Sequence, residues 1–422
     1  MKHAALLVEL FTEELPPKSL KRLGESFAQS VYQSLNHDHL LEAGTPMQSF
    51  ASPRRLAVLI SEVCEQAPDY PVREKLLPTS IAFDEQGKAS APLLKKLASL
   101  GYANTPIDQL ETSGEGKNQA LYLNIIAKGA SLTTSLQRAI EEAIKQLPIA
   151  KMMHYQITAP NGSIHDVEFA RPVHRILAIH GSRVLPITAL GIMASNTTEG
   201  HRFMSSGPIA IQNAIDYERQ LEQDGKVIAS FAKRRESIKK ELEKAANTDK
   251  VLMPDTLLDE VAALVEYPAI YECHFDAEFL EVPQECLILT MQTNQKYFAL
   301  TDANGKLKNR FLIVSNIVTD RPEAIISGNE RVIRPRLADA RFFYQQDQKR
   351  SLESRIPDLA KVVYHNQLGN QLQRMERIRG LANDIATALK ETGVAIDPKT
   401  VSRAAELAKT DLLSDMVGEF PE

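Results

Sequence analysis

An α+β fold in several domains is predicted, mixed in the first three quarters of the chain and all-helical after that. Three observations carry it. Short apolar runs of strand length alternate with segments of helical period as far as about residue 320. From Arg321 onward the helical period takes over. The 422 residues, 43% of them hydrophobic, suffice for several large cores. The expected division is a body of 1–65 with 119–210, a small insertion at 66–118, a helical linker plus α+β domain at 211–320, and a helical region at 321–422.

Ala4 to Leu10 has the composition of a buried strand. The prolines of Thr12-Glu13-Glu14-Leu15-Pro16-Pro17 suit a first helical turn, and Leu20, Leu23, Phe27, Val31 and Leu35 follow at helical spacing. Phe50-Ala51-Ser52-Pro53 reads as a turn and Leu56 to Val63 as a strand. Residues 66–118 are richer in Pro, Gly and polar side chains, with one short helix over about Ala91 to Leu100. Leu121 to Ile126 is strand-like, and Ser131 caps a helix running to Leu147. Phe169 to His180 and Val184 to Leu190 read as strands, and Ile215 to Asn247 as mostly helical and strongly charged. A helix is expected from Pro254 to Glu266 and a strand near Ala269 to Cys273. Strands Tyr297 to Leu300 and Phe311 to Ser315 join through Asp302-Ala303-Asn304-Gly305, in which Asn-Gly is a hairpin signal. No internal repeat stands out.

The net charge is −5 and charged residues make up 24%, so a nucleic-acid partner would need local basic patches rather than a global field. Cys64, Cys273 and Cys286 are odd in number and widely spaced, which argues against a disulfide framework or a structural zinc and fits a reducing cytoplasm. The N-terminal apolar run is too short for a signal peptide, and no apolar stretch approaches the roughly 20 residues that span a bilayer.

Phosphate-loop, dinucleotide-loop, serine-elbow and His-Glu-x-x-His motifs are all missing from the sequence. His37-Asp38-His39 lacks a third ligand and is expected in a loop after the first helix, and Cys273-His274 reads as a strand pair. The run Lys233-Arg234-Arg235 to Lys244, with Glu236, Glu241 and Glu243 interleaved, reads as a solvated helix face or a basic patch. A sharper cluster is Arg331, Arg334, Arg336 and Arg341, four arginines in eleven residues with Phe342, Phe343 and Tyr344 beside them. Pro335 would open a new helix there, and Arg334 and Arg336 would flank a natural anion site. Two readings stay open: phosphate binding, or pairing of Arg336 and Arg341 with Asp339, Glu330 or other acids.

Six strings in order resemble the bacterial glycyl-tRNA synthetase β subunit. They are LLVELFTEELPPKSL at the start, FASPRRLAVLI at 50–60, FARPVHRILAIHG at 169–181 and NTTEGHRFMSSGPIAI at 196–211. Then come MQTNQKYFALTDANGKLKNRFLIVSNI at 291–317 and ISGNERVIRPRLADARFFYQQDQKRSLESR at 326–355. The resemblance implies a heteromeric enzyme, usually α2β2, that attaches glycine to tRNA(Gly). The α subunit carries the adenylate-forming class II core with its ATP and Mg, and the β subunit binds tRNA and holds no cofactor. Basic residues in these strings are the tRNA-binding candidates: Arg54, Arg55, His201, Arg202, Lys296, Arg331, Arg334, Arg336 and Arg341. The helical region would be HD-like, as in metal phosphohydrolases, and this chain would stop inside it, truncated. Family members often have Trp near Tyr155 and Arg175, whereas this chain has none. The His of the HD pair is missing too, since Thr410 precedes Asp411 and His365 is the other relic. The rival readings are an HD-type metal phosphohydrolase and a non-catalytic RNA-binding or assembly protein.

Overall fold

The computed structural model describes residues 3–84, 87–114, 119–158, 162 and 164–421. The chain divides into two compact units, Met1–Phe231 and Ala232–Glu422.

The first unit is built on an antiparallel sheet. Its strands are β1 (His3–Thr12), β2 (Met47–Ser52), β3 (Arg55–Cys64), β9 (Val173–His180) and β10 (Arg183–Val184), in the order β10-β9-β1-β3-β2. Alternate residues of β1 would face water in a one-sided sheet, but Leu6, Leu7, Val8 and Leu10 are all buried, so both faces are covered. The helix Pro17–His37 covers one face with Leu20, Leu23, Phe27, Val31 and Leu35, the positions its spacing predicts. It approaches closely at Gly24, where an added Cβ would lie 2.6 Å from that of Ala51. The expected turn at 50–53 is narrower than its sequence suggests. Ser52 still pairs with Arg55, leaving Pro53 and Arg54 as a two-residue hairpin tip.

The insertion has its own sheet, β4 (Tyr70–Pro78), β5 (Leu110–Ser113) and β6 (Ala120–Ala127), in the order β4-β6-β5. The strand expected in the body at 121–126 therefore belongs to the insertion. Its Leu121 and Leu123 close a small core with Leu76, Leu93 and Leu97, the last two from the expected helix, which spans Ala91–Ser99. The chain returns beside its point of departure at Gly129, where a Cβ would stand 1.9 Å from the Ala67 carbonyl oxygen. A second unforeseen hairpin pairs β7 (Met153–Thr158) with β8 (Ile164–Phe169). The single strand expected over 169–180 is split by Arg171-Pro172, since proline has no N–H for the ladder. Residues 211–231 were expected to open a linker. Instead Ile211, Ala214, Tyr217, Leu221 and Val227 pack on Leu7, Phe50, Leu177 and Ile179 of the first unit.

In the second unit a sheet runs in the order Lys250–Val251, Phe298–Thr301, Leu307–Ser315, Ala269–His274. The Asp302 to Gly305 turn is where the sequence places it, with Gly305 at φ +80°. The helix Glu323–Asp347 lays Ile333, Leu337 and Ala340 on this sheet beside Phe311 and Tyr297. Pro335 lies inside that helix and does not begin it. Burial of Ile333 and Leu337 on either side offsets the roughly 3 kcal/mol that an interior proline costs. The region after Arg321 is mainly helical, through Gln371–Glu391 and Pro398–Leu407, with a small ladder of Val363–His365 against Gly369–Asn370. Among the described residues no helix is long and apolar enough to cross a membrane.

Candidate anion-binding pocket

The end of β1 is where the first unit gathers its charges. The Thr12 N–H donates to the Arg54 carbonyl at 2.8 Å, and the Glu13 N–H to the Pro172 carbonyl at 2.9 Å. The β2–β3 hairpin tip and the turn before β9 are thereby tied to one point. A pocket of about 540 Å3 opens there, with Arg54, Arg175, Arg202, His174, His201, Glu13 and Glu199 in its lining. The Arg54 guanidinium stands 4.7 Å from the centre of the Phe11 ring, a cation–π contact that fixes its direction.

Both carboxylates are already engaged. Glu13 accepts from Arg202 Nη2 at 2.9 Å and lies 2.9 Å from His174 Nε2. Burial alone would raise the Glu13 pKa, but those two hydrogen bonds and the charges of Arg202 and Arg54 hold it below the ordinary carboxylate range. Glu199 accepts from Arg175, with Nη2 at 2.7 Å. Arg175 and Arg202 are paired with those carboxylates, and Arg202 Nη1 also lies 3.8 Å from Glu14, so the excess positive charge of the lining is the guanidinium of Arg54.

The structure brings Arg54, His201 and Arg202 of the expected site together here. It removes Arg55, whose side chain is fully buried, donates to the Glu199 carbonyl at 2.7 Å and lies 3.7 Å from Glu9. A side chain with no solvent exposure cannot touch RNA, so Arg55 is a structural residue. His174, Arg175, Glu13 and Glu199 were missed, although all lie in the quoted strings. An available signal was Glu9, an acid inside an apolar strand that must find a partner.

The other candidates lie in the second unit. Lys296, at φ +61°, follows a π-helical stretch at Thr290–Asn294 and pairs with Glu260 at 3.1 Å. Arg334 pairs with Asp276 at 3.1 Å, and Arg341 with Glu278 at 2.8 Å. These tie the long helix to the segment after strand Ala269–His274, so Arg341 follows the pairing reading, with Glu278 in place of Asp339 or Glu330. Arg331 and Arg336 are exposed and meet no carboxylate at salt-bridge distance among the described residues. The anion site expected at a helix start beside Pro335 does not form, because the backbone N–H groups there are inside a helix.

Elsewhere the chemistry is structural. Arg234 is fully buried and donates to the Ala262 carbonyl at 2.7 Å, and Arg235 pairs with Asp255 and Asp259, so this run is not wholly a solvated face. Asp38 accepts Arg138 at 2.6 Å. Burial pushes the Cys273 thiol up to about 12, which removes it as a nucleophile at neutral pH. Thr410 is buried and donates to the Leu407 carbonyl at 2.7 Å, while Asp411 and His365 are exposed. Among the described residues no group of three or more His, Cys, Asp or Glu could hold a metal ion.

The chain is thus an α+β protein of two compact units, with basic residues of the expected set in each. The chain belongs to the glycyl-tRNA synthetase beta subunit family, whose profile matches residues 6–422. It is 54% identical to the glycine–tRNA ligase beta subunit of Ralstonia nicotianae, over 99% of this chain and 59% of that protein. It is 50% identical to the beta subunits named likewise from Methylobacillus flagellatus and Acidovorax ebreus, over 99% and 100% of this chain and 60% and 61% of theirs. The chain thus spans about 60% of the length of the curated relatives it matches.

Proposed function

We propose that this chain is the tRNA-handling part of a heteromeric glycine–tRNA ligase of the cytoplasm. The observation that carries this reading is the family match from residue 6 to 422, with half of the positions identical in the relatives. An α subunit would hold ATP and Mg and form glycyl-adenylate, in an assembly we take to be α2β2. The tRNA 3′-terminal hydroxyl then attacks the adenylate. This chain would grip phosphates and position the acceptor end, which lowers the entropy cost of that step. Co-purification with an α subunit, followed by glycylation assays with and without this subunit, tests the reading. Full-rate charging by the α subunit alone would overturn it.

The isolated chain is expected to form no glycyl-adenylate. Glycine-dependent pyrophosphate exchange should stay at background, and exchange by the pure chain would contradict the division of labour.

A phosphate grip on Arg331 and Arg336 is part of this proposal, supported by their exposure and by the lack of an acidic partner at salt-bridge distance among the described residues. Arg331→Ala with Arg336→Ala should weaken tRNA binding and reduce the slope of log affinity against log salt by about 0.7–0.9 per lost contact. Stability should stay within about 0.5 kcal/mol, as for other exposed positions. An unchanged slope and affinity would make them an ordinary solvated face. Arg334→Ala is the control, since it loses an exposed ion pair worth about 0–1 kcal/mol.

A further inference from the structure

The loop joining the strands Thr197–Glu199 and Pro208–Ala210 carries an aromatic side chain that the fold does not bury. Phe203 is 73% exposed. Its backbone is nevertheless pinned. The His201 N–H donates to the Gly225 carbonyl at 2.7 Å, the Phe203 N–H to His201 Nδ1 at 3.2 Å, and the Ser205 N–H to the His201 carbonyl at 3.0 Å. The Phe203 ring stands 6.2 Å from that of His201, centre to centre. His201 is 1% exposed and lines the arginine pocket, and among the described residues its Nε2 meets no hydrogen-bond partner. Arg202, between the two rings in sequence, lines the same pocket with Arg54 and Arg175. A solvent-facing ring on a pinned backbone therefore stands beside a pocket whose lining holds three guanidiniums and two carboxylates.

We propose that this pocket and its rim bind single-stranded RNA, with a phosphate among Arg54, Arg175 and Arg202 and the adjoining base stacked on Phe203. A phosphate alone would need the guanidiniums and not the ring. A duplex keeps its bases stacked on one another and offers Phe203 no face, whereas an unpaired nucleotide supplies both a phosphate and an open π-surface. The inference rests on the RNA-handling reading above and names the form of RNA that this pocket takes.

The test titrates the full chain with three probes: a labelled single-stranded RNA of about four nucleotides, a blunt RNA duplex long enough to stay paired, and inorganic phosphate. The single strand should bind best. Phe203→Ala should weaken it about tenfold or more, and Phe203→Trp should restore it, because stacking tolerates any aromatic face. Arg202→Ala should weaken it and shrink the salt slope by about 0.7. Thermal midpoints should not move, since both side chains are substantially exposed. No binding of the single strand, wild-type binding by Phe203→Ala and Arg202→Ala, or equal binding of the duplex or of inorganic phosphate overturns the site. If wild-type protein binds whole tRNA and supports glycylation while these variants match it, the site fails and the tRNA reading stands. If wild-type protein does neither, the tRNA reading itself fails.

Discussion

Arg55→Met should destabilise the first unit by about 3–5 kcal/mol, the range for breaking a buried ion pair from one side. Arg55 and Glu9 are both fully buried, with Arg55 Nε 3.7 Å from the Glu9 carboxylate. The same carboxylate accepts the hydroxyls of Thr198 and Tyr217, so it joins β1, the strand Thr197–Glu199 and the segment after residue 211. Removing the guanidinium leaves a fully buried carboxylate without its ion-pair partner, and also frees the Glu199 carbonyl. Glu9→Gln together with Arg55→Met should recover part of the loss, because the amide oxygen still accepts one hydroxyl without carrying charge. Urea unfolding would measure both. A loss no larger than about 1 kcal/mol, the value of a surface pair, would refute the structural role.

Phe311→Ala should cost the second unit about 3–5 kcal/mol. The ring is fully buried in the strand Leu307–Ser315 and stacks on Tyr297 at 4.8 Å between centroids, with Phe275 at 6.4 Å. Tyr297 in turn donates its hydroxyl to Asn329 Oδ1 at 2.6 Å, in the helix that carries Arg331 and Arg336. The cavity should therefore loosen that helix as well as the sheet. Hydrogen exchange should quicken across 297–315 and 323–347 while the amides of β1 and β3 keep their protection. A loss near about 0.5 kcal/mol, as for a surface substitution, would mean that the ring is not a core element.

Several elements were legible from residue order alone. The helix Pro17–His37 announced itself through its prolines and its buried spacing from Leu20 to Leu35, and the Asp302 to Gly305 turn through Asn-Gly. The helix Ala91–Ser99 was found, but its sheet was not, since β4 and β5 are polar strands whose apolar positions pair only with β6. Helix starts misled once. Pro335 carries a local signal for a first turn, and packing of Ile333 and Leu337 overrides it.

Family membership and the basic strings were readable without coordinates, because both are properties of residue order. Which arginines can meet a ligand was not. Arg54 and Arg55 are neighbours in sequence, yet Arg54 sits in the two-residue turn and Arg55 is the first residue of β3. Arg54 lines a pocket at a hairpin tip, and Arg55 points into the core against Glu9. Arg331 and Arg334 share one helix, yet only Arg334 reaches an acid, Asp276, 58 positions before it. The sequence by itself determined the family, the mixed α+β class and the supply of cations. Only the tertiary structure decided which cations are free, because desolvation and pairing depend on distant residues brought within a few ångströms.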